Sequence, residues 1–443
     1  MNGKGAWVVC SATDEEWYKY TTIDKRWANV MLSDGRYTID TAKVGMEISE
    51  DELGSMFVWI PRYAYKITKG YKPEEVTEGE IDIKFLIGTT DKSVDKIKIV
   101  DYNATTTNNY KSFPDGYVVH PAFSNNVSAG GGDKELTGLW VAKFEAGYPM
   151  QDNRFDNNTN TVTIKDKNFK YPVFKGQRYS YNETRIEDCY LISQNLFKDN
   201  NNPYGVGENL NSHMMKNSEW GAIAYLSQSE YGKNEEIYEN NLSFGNISIN
   251  GLSNVNAMTG YSSDIAKGNV NNVNSTTPID DIMEGINSYK SYVWYYTDKN
   301  STKGNGTKAS TTGNIYGIYD LSGGCWEYMA DVMPTEHSSI LNNGGNTFND
   351  VKKSSKYLTV YPIGNSTKNE TDISRSYFAW KSFYGDAIYE TSVGAGSDNS
   401  YTSWYGELSD EDTLSNEPFL IRGGSLDYLK RIRTFCLCRC SRS

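Results

Sequence analysis

The run Asn314-Ile-Tyr-Gly-Ile-Tyr-Asp320-Leu-Ser-Gly323-Gly-Cys325-Trp326-Glu327-Tyr328 decides how the rest of this chain is read. Aromatic and β-branched residues lead into a Ser-Gly-Gly turn, and a large apolar residue on each side of Glu327 follows it. Glycines in such a turn let backbone carbonyls converge, and Asp320 and Glu327 stand before and after it. Two carboxylates with carbonyls between them suit a hard cation such as Ca²⁺, which takes about six to eight oxygens. The same two acids serve equally well as turn caps, so both readings stay open.

A second stretch, Phe419-Leu-Ile-Arg422-Gly423-Gly424-Ser425, lies near the end of the 443-residue chain. In this order and at this distance, the two stretches resemble the signature segments of the formylglycine-generating enzyme and sulfatase-modifying-factor domains. The resemblance covers residues 138 to 425. It implies an α+β, C-type-lectin-like fold of the formylglycine-generating-enzyme subtype, with two helices, short twisted sheets and long loop insertions. It further implies a structural Ca²⁺ held by Asp320, the carbonyls of Gly323 and Cys325, and Glu327, although Gly324 stands where the family has Asn. The family's copper site needs a pair of thiolates just after Gly-Gly-Ser, because Cu(I) is soft. Those positions hold Tyr428 and Arg433 here, so no copper is expected.

The sequence has a formal net charge of −12, which argues against nucleic acid as a partner, since phosphate binding needs clustered Lys and Arg. It has 34 tyrosines and 10 tryptophans against 15 phenylalanines, and such residues supply rigid contact area at low entropic cost. A recognition surface and an AT-rich coding sequence account equally well for that excess. Cys10, Cys189, Cys325, Cys436, Cys438 and Cys440 are too scattered to dictate a disulfide framework. No apolar run reaches the roughly 18 residues that span a bilayer, and residues 1 to 17 show no signal peptide.

Residues 1–54 read as a small β-rich lead-in, and 55–443 as one lectin-like domain with insertions at about 228–313 and 368–403. Met56 to Ile67, Ile81 to Ile87 and Gly138 to Glu145 are expected strands, rich in β-branched and aromatic residues, with Pro61 at an edge or bulge. Apolar spacing predicts a helix over 183–197, capped by Asn182 or Thr184, and a second over 217–227. The segment 228–313 reads as surface loops. From Leu426 the chain turns basic and cysteine-rich, and we expect the domain's closing strand to be missing or frameshifted after 425.

The first functional reading is a non-catalytic recognition protein that displays aromatic loops on a phage virion or bacterial surface. It resembles in this the variable proteins of diversity-generating retroelements. Its ligand, a protein or a surface glycan, would meet Trp380, Tyr384, Tyr401, Trp404, Tyr405, Arg422 and Tyr428, with rings and an Arg as anchors. The second is a formylglycine-generating-type oxidoreductase or a related enzyme, and the third a structural subunit of a surface appendage. Only His120, His213 and His337 are available as imidazole bases, which weighs against many enzyme versions.

Overall fold

The computed structural model describes residues 7–33, 35–49, 52–69, 79–101, 114–149, 171–176, 185–199, 210–235, 309–322, 327–332, 353–361, 382–387 and 419–423, with shorter pieces between them. In chain order the first strands are β1 Trp7–Val8, β2 Asn29–Met31, β3 Glu47–Ile48, β4 Met56–Pro61, β5 Tyr63–Lys69, β6 Glu80–Phe85, β7 Thr105–Thr106, β8 Val118–Val119 and β9 Gly138–Ala142. After β10 Phe155–Asp156 and β11 Thr161–Val162 come three helices, α1 Ile186–Ser193, α2 Asn195–Lys198 and α3 Asn217–Gln228. Strands β12 Tyr261–Ser263, β13 Ser291–Val293 and β14 Glu327–Val332 follow, then the single turn α4 Gly345–Phe348. The last strands are β15 Thr359–Val360, β16 Ser382–Phe383, β17 Phe419–Arg422 and β18 Phe435–Cys436.

The described chain is thus a mixed α+β protein, in which α1 and α3 are the longer helices among several small sheets. Three of those sheets matter most. One has the order β2-β4-β9, a second β6-β5-β8, and the third β15-β14-β17-β18.

The stretch expected to be one strand, Met56 to Ile67, is two. Pro61 ends β4 opposite Gly138, and β5 begins at Tyr63 in a different sheet. A proline has no N–H to continue a ladder, and the residue between the strands, Arg62, turns into the interior instead. Its guanidinium donates to the Phe123 carbonyl at 2.8 Å and pairs with Glu135 at 2.6 Å and Asp91 at 3.0 Å. One continuous segment therefore feeds two sheets.

The main core gathers on α3. Trp220, Ile223, Tyr225 and Leu226 pack with Val58, Ile60, Tyr63, Tyr65, Ile83 and Val118 from the first two sheets. Trp27, from the N-terminal lead-in, joins the same cluster. A second cluster places Phe144 against Tyr319 with Met56 and Leu53, and a third joins Ile186 of α1 to Ala330, Val332 and Phe419 of the β14–β17 pair.

The first helix departs from expectation at its ends, and the second starts where expected. The helix read over 183–197 breaks at Gln194 into α1 and α2, and its N-cap is Arg185, without a side-chain cap bond; Asn182 and Thr184 lie outside the described residues. The N-cap of α3 is Lys216. Glu219 accepts from the Lys216 N–H at 2.8 Å, and Asp331 of β14 accepts from the Asn217 N–H at 2.6 Å. Two carboxylates at a helix N-terminus satisfy orphan donors and oppose the dipole, so a neighbouring strand caps the helix from outside.

The segment 228–313 is not all surface. Thr259, Gly260 and 309–312 are buried. Their hydroxyls carry the backbone inward, since Ser310 Oγ donates to the Ile318 carbonyl at 3.1 Å and Thr312 Oγ1 accepts from the Ile318 N–H at 2.9 Å. Polar residues that satisfy backbone groups internally look like loop residues in a sequence.

Helix α3 lies so close to the 384–387 segment that a Cβ on Gly221 would stand 2.0 Å from the Gly385 carbonyl oxygen. A Gly-to-Ala change inside a helix ordinarily gains about 1 kcal/mol of propensity. Gly221→Ala should nevertheless destabilise the protein by about 2 kcal/mol, within the range of overpacking, as read by denaturant unfolding. An unchanged or higher midpoint would show that the helix stands off the loop.

Candidate functional site

The first signature stretch ends in β14, which pairs with β17 of the second. Glu327 pairs with Arg422, Tyr328 with Ile421 and Val332 with Phe419, antiparallel, with a register irregularity between Tyr328 and Val332. The residues before Glu327 approach through a loop fixed by a single buried cation. Lys143 Nζ donates to the Ile315 and Gly317 carbonyls, each at 2.8 Å, and to Asn29 Oδ1 at 2.9 Å. The ammonium also lies 5.1 Å from the Trp7 ring and 5.2 Å from the Tyr319 ring. Burial pushes the Lys143 ammonium well below its ordinary pKa, and three oxygen acceptors with two ring faces are what hold it in place.

Asp320 is buried and adopts a left-handed backbone at φ 61°. Both of its carboxylate oxygens accept from the Gly260 N–H, at 2.9 and 2.8 Å. Glu145, just beyond β9, accepts from Ser180 Oγ at 2.7 Å and from the Cys325 N–H at 3.1 Å. Glu327, half-buried, opens β14. Burial first, then the Asp320 charge, pushes the Glu327 carboxyl up to about 8. Burial, followed by Glu327 and Asp320, raises Glu145 well above the usual carboxylate range. Like charges sharing a desolvated region favour protons or a cation.

Glu145 is the member that sequence reasoning missed. It ends an expected strand, and its only visible signal was that, with Lys143, it is one of two charged residues in an otherwise apolar and aromatic segment, Gly138 to Glu145.

The donor set fits Ca²⁺ in chemistry, being all oxygen, and one geometric detail supports convergence. A Cβ on Gly423, whose φ is 93°, would lie 3.4 Å from the Cys325 carbonyl oxygen and 3.8 Å from Glu327 Oε2. A carbonyl and a carboxylate oxygen of the sequence-predicted set therefore face one small cradle that glycine leaves open. Gly323 lies outside the described residues, as does Trp326. Among the described residues, no three His, Cys, Asp or Glu side chains form a ready-made metal group.

The sequence-predicted ligand anchors fare differently. Arg422 and Tyr384 are buried, not presented. Arg422 Nε donates to Asn217 Oδ1 at 2.6 Å and Nη2 to the Asp386 carbonyl at 2.6 Å, with the guanidinium 4.4 Å above the Trp220 ring. Arginine followed by two glycines looks like an exposed binding corner, but here the strand turns the guanidinium onto the helix. Trp380, Tyr401, Trp404, Tyr405 and Tyr428 lie outside the described residues, as do Cys438 and Cys440. Backbone pairing extends the sheet beyond the Gly-Gly-Ser stretch, with Ile421 opposite Cys436 and Arg422 opposite Phe435. Among the described residues, no helix is long and apolar enough to cross a membrane.

Compared with protein-family models and with curated proteins, this chain finds no match.

The raised carboxyls set the direction of a pH dependence. A carboxyl whose folded pKa lies above its unfolded value binds more protons in the folded state, so stability is lost as pH rises between the two. For Glu327 that window runs from 4.5 to about 8, and for Asp331 from 3.8 to about 7. For His213, burial lowers the imidazole but Glu219 outweighs it and the net shift is upward, so it contributes in the same direction. In chelator, the thermal midpoint of Glu327→Gln should rise relative to that of the wild type as pH is raised from about 5 to about 8. A wild-type and variant difference that does not change with pH would contradict the assignment.

Proposed function

We propose that this chain is a non-catalytic recognition protein on a C-type-lectin-like scaffold of the formylglycine-generating-enzyme subtype, akin to the variable proteins of diversity-generating retroelements. The observation that carries this reading is the pairing of β14 with β17, which joins the two segments on which the resemblance rests. Recognition is favoured over cysteine oxidation because Tyr428 and Arg433 occupy the positions where the copper-binding thiolates would stand. The ligand is a protein or surface glycan met on a phage or bacterial surface, and Trp380, Tyr401, Trp404, Tyr405 and Tyr428 are its contacts. The chain leaves β17 at Gly423, beside Cys325 and Glu327, which supports a stiffened turn at the root of that surface.

In the same reading, Asp320, Glu327 and the Cys325 carbonyl hold a structural Ca²⁺ together with the Gly323 carbonyl, and Glu145 lies close enough to add negative charge. Bound there, the ion supplies charge neutralisation and rigidity. Calcium at about a hundred times its dissociation constant should stabilise the wild type by about 2.7 kcal/mol and leave Glu327→Gln unmoved. Equal shifts in both proteins would remove calcium from the proposal.

Ligand recognition has its own test. Trp404→Ala combined with Tyr405→Ala should reduce adhesion of the purified protein to a panel of bacterial cells by about tenfold or more at an unchanged melting temperature. Copper-dependent oxidation of a cysteine-containing peptide by the wild type would overturn the recognition reading.

A further inference from the structure

The surroundings of His213 suit only one of its two charge states. Its Nδ1 lies 2.8 Å from the Asn211 carbonyl oxygen, and its Nε2 lies 2.9 Å from Glu219 Oε1. A carbonyl oxygen can only accept. Glu219 is a carboxylate, because burial raises its carboxyl but His213 and Lys216 outweigh that and bring it down to about 2. A neutral imidazole carries one N–H and one lone pair, so it would meet one of these oxygens and turn a lone pair on the other. Only the imidazolium makes both bonds.

The ring stands where three parts of the chain meet. Residues 210–213 lead towards Lys216, the N-cap of α3, and Glu219 lies in the first turn of that helix. The tight turn closed by the Ser355–Leu358 bridge brings Tyr357 alongside. The Tyr357 ring is 5.7 Å from the His213 ring, and its hydroxyl donates to Asn211 Oδ1 at 3.1 Å. The His213 side chain is 23% exposed, so protons reach it from solvent.

The neighbouring charges pull in both directions. Lys216 Nζ, 4.0 Å from Glu219 Oε1, opposes a proton on His213 and is itself held by the Gly130 and Gly131 carbonyls. Asp331 of β14 accepts from the Asn217 N–H, and Lys356 pairs with Asp133 at 3.1 Å and lies over the Tyr357 ring. Burial lowers the imidazole, but Glu219 and the Asn211 carbonyl outweigh burial and Lys216, and the net shift is upward. The frame around the site is tied elsewhere. Helix α3 packs Trp220, Ile223 and Leu226 into the main core, and β15 is paired to β14 through Asp331–Thr359 and Val332–Val360.

We propose that His213 is a proton-operated latch: as the imidazolium it fastens residues 210–213 and the turn at Tyr357 to the start of α3, and on losing its proton it lets this surface segment part from Glu219 while α3 and β15 stay in place. The latch is closed in mildly acid surroundings and opens as pH rises, because the closed form binds the proton more tightly than the open one. It operates whether or not calcium binds at Glu327 and whether or not the chain after β17 recognises a ligand.

The test is hydrogen exchange of the full chain in chelator, read by mass spectrometry and corrected for the intrinsic pH dependence of exchange. Between about pH 6 and about pH 9, protection of 210–216 and 353–358 should fall about fivefold or more beyond any change in 220–227, the factor expected for loss of a partly exposed ion pair. His213→Gln should exchange in the first two segments at the open level at either pH. Nitrogen NMR of the histidine-labelled wild type should show both His213 ring nitrogens protonated at the lower pH, with His213 identified as the signal that Glu219→Gln moves to lower pH. His120 does not interfere, since burial pushes its imidazole down to about 3. A neutral His213 at the lower pH, protection of 210–216 that does not change with pH, an equal loss in all three segments, or the same pH response in His213→Gln each overturns the latch. The wild-type measurements decide by themselves if either variant fails to fold.

Discussion

A guanidinium held away from water is the constraint on which the C-terminal half of this structure depends. Removing a cation from solvent costs several kcal/mol unless its donors are met, and Arg422 is fully buried. Its partners come from parts of the chain far apart in sequence. Asn217 opens helix α3, Asp386 and Ala387 supply carbonyls, and Trp220 supplies a ring face. Asn217 Nδ2 in turn donates to the Tyr361 hydroxyl at 2.8 Å, which donates to Asp386 Oδ2 at 3.1 Å. The strand that carries Arg422 can therefore settle only when helix, loop and the segment after β15 are already in place. Partial assembly would leave a charge desolvated without its acceptors.

The segment Lys143 to Glu145 works on the signature loop from the other side. The lysine takes carbonyls at 315 and 317, and the glutamate takes the amide of Cys325. Each side chain meets backbone groups of complementary polarity, so two buried charges two residues apart read both ends of one loop. This arrangement explains why an acid sits so near Asp320 and Glu327 despite their repulsion. Its oxygens accept from the Cys325 amide and the Ser180 hydroxyl there, and the repulsion is the cost.

How much of this was legible in the sequence varies with the physics involved. Period and composition located β4, β5, β6, β9 and α3 because burial of one face leaves a pattern along the chain. The break at Arg62 was hidden, since a proline at a strand end and a proline at a bulge look alike. The outer cap of α3 was hidden because its carboxylate comes from Asp331, more than a hundred residues later, and no local window contains it. Buried serines and threonines at 310–312 passed for loop because their role is to satisfy backbone groups inside. The site was half legible. Asp320 and Glu327 were readable from the glycine turn, whereas Glu145 joins them only through tertiary contact, and Arg422 was misread as a displayed anchor because its burial depends on Trp220.

The N-terminal lead-in completes its bonds late. Asn29 Nδ2 donates to the carbonyl of Tyr316, 287 residues downstream, and Lys25 Nζ to that of Gly232, 207 residues downstream. At ribosomal rates of about 5–20 residues per second, the first of these partners emerges on the order of tens of seconds after Asn29 does. Through that interval the lead-in stands on the nascent chain without these two partners, so its docking is completed only in the later part of synthesis.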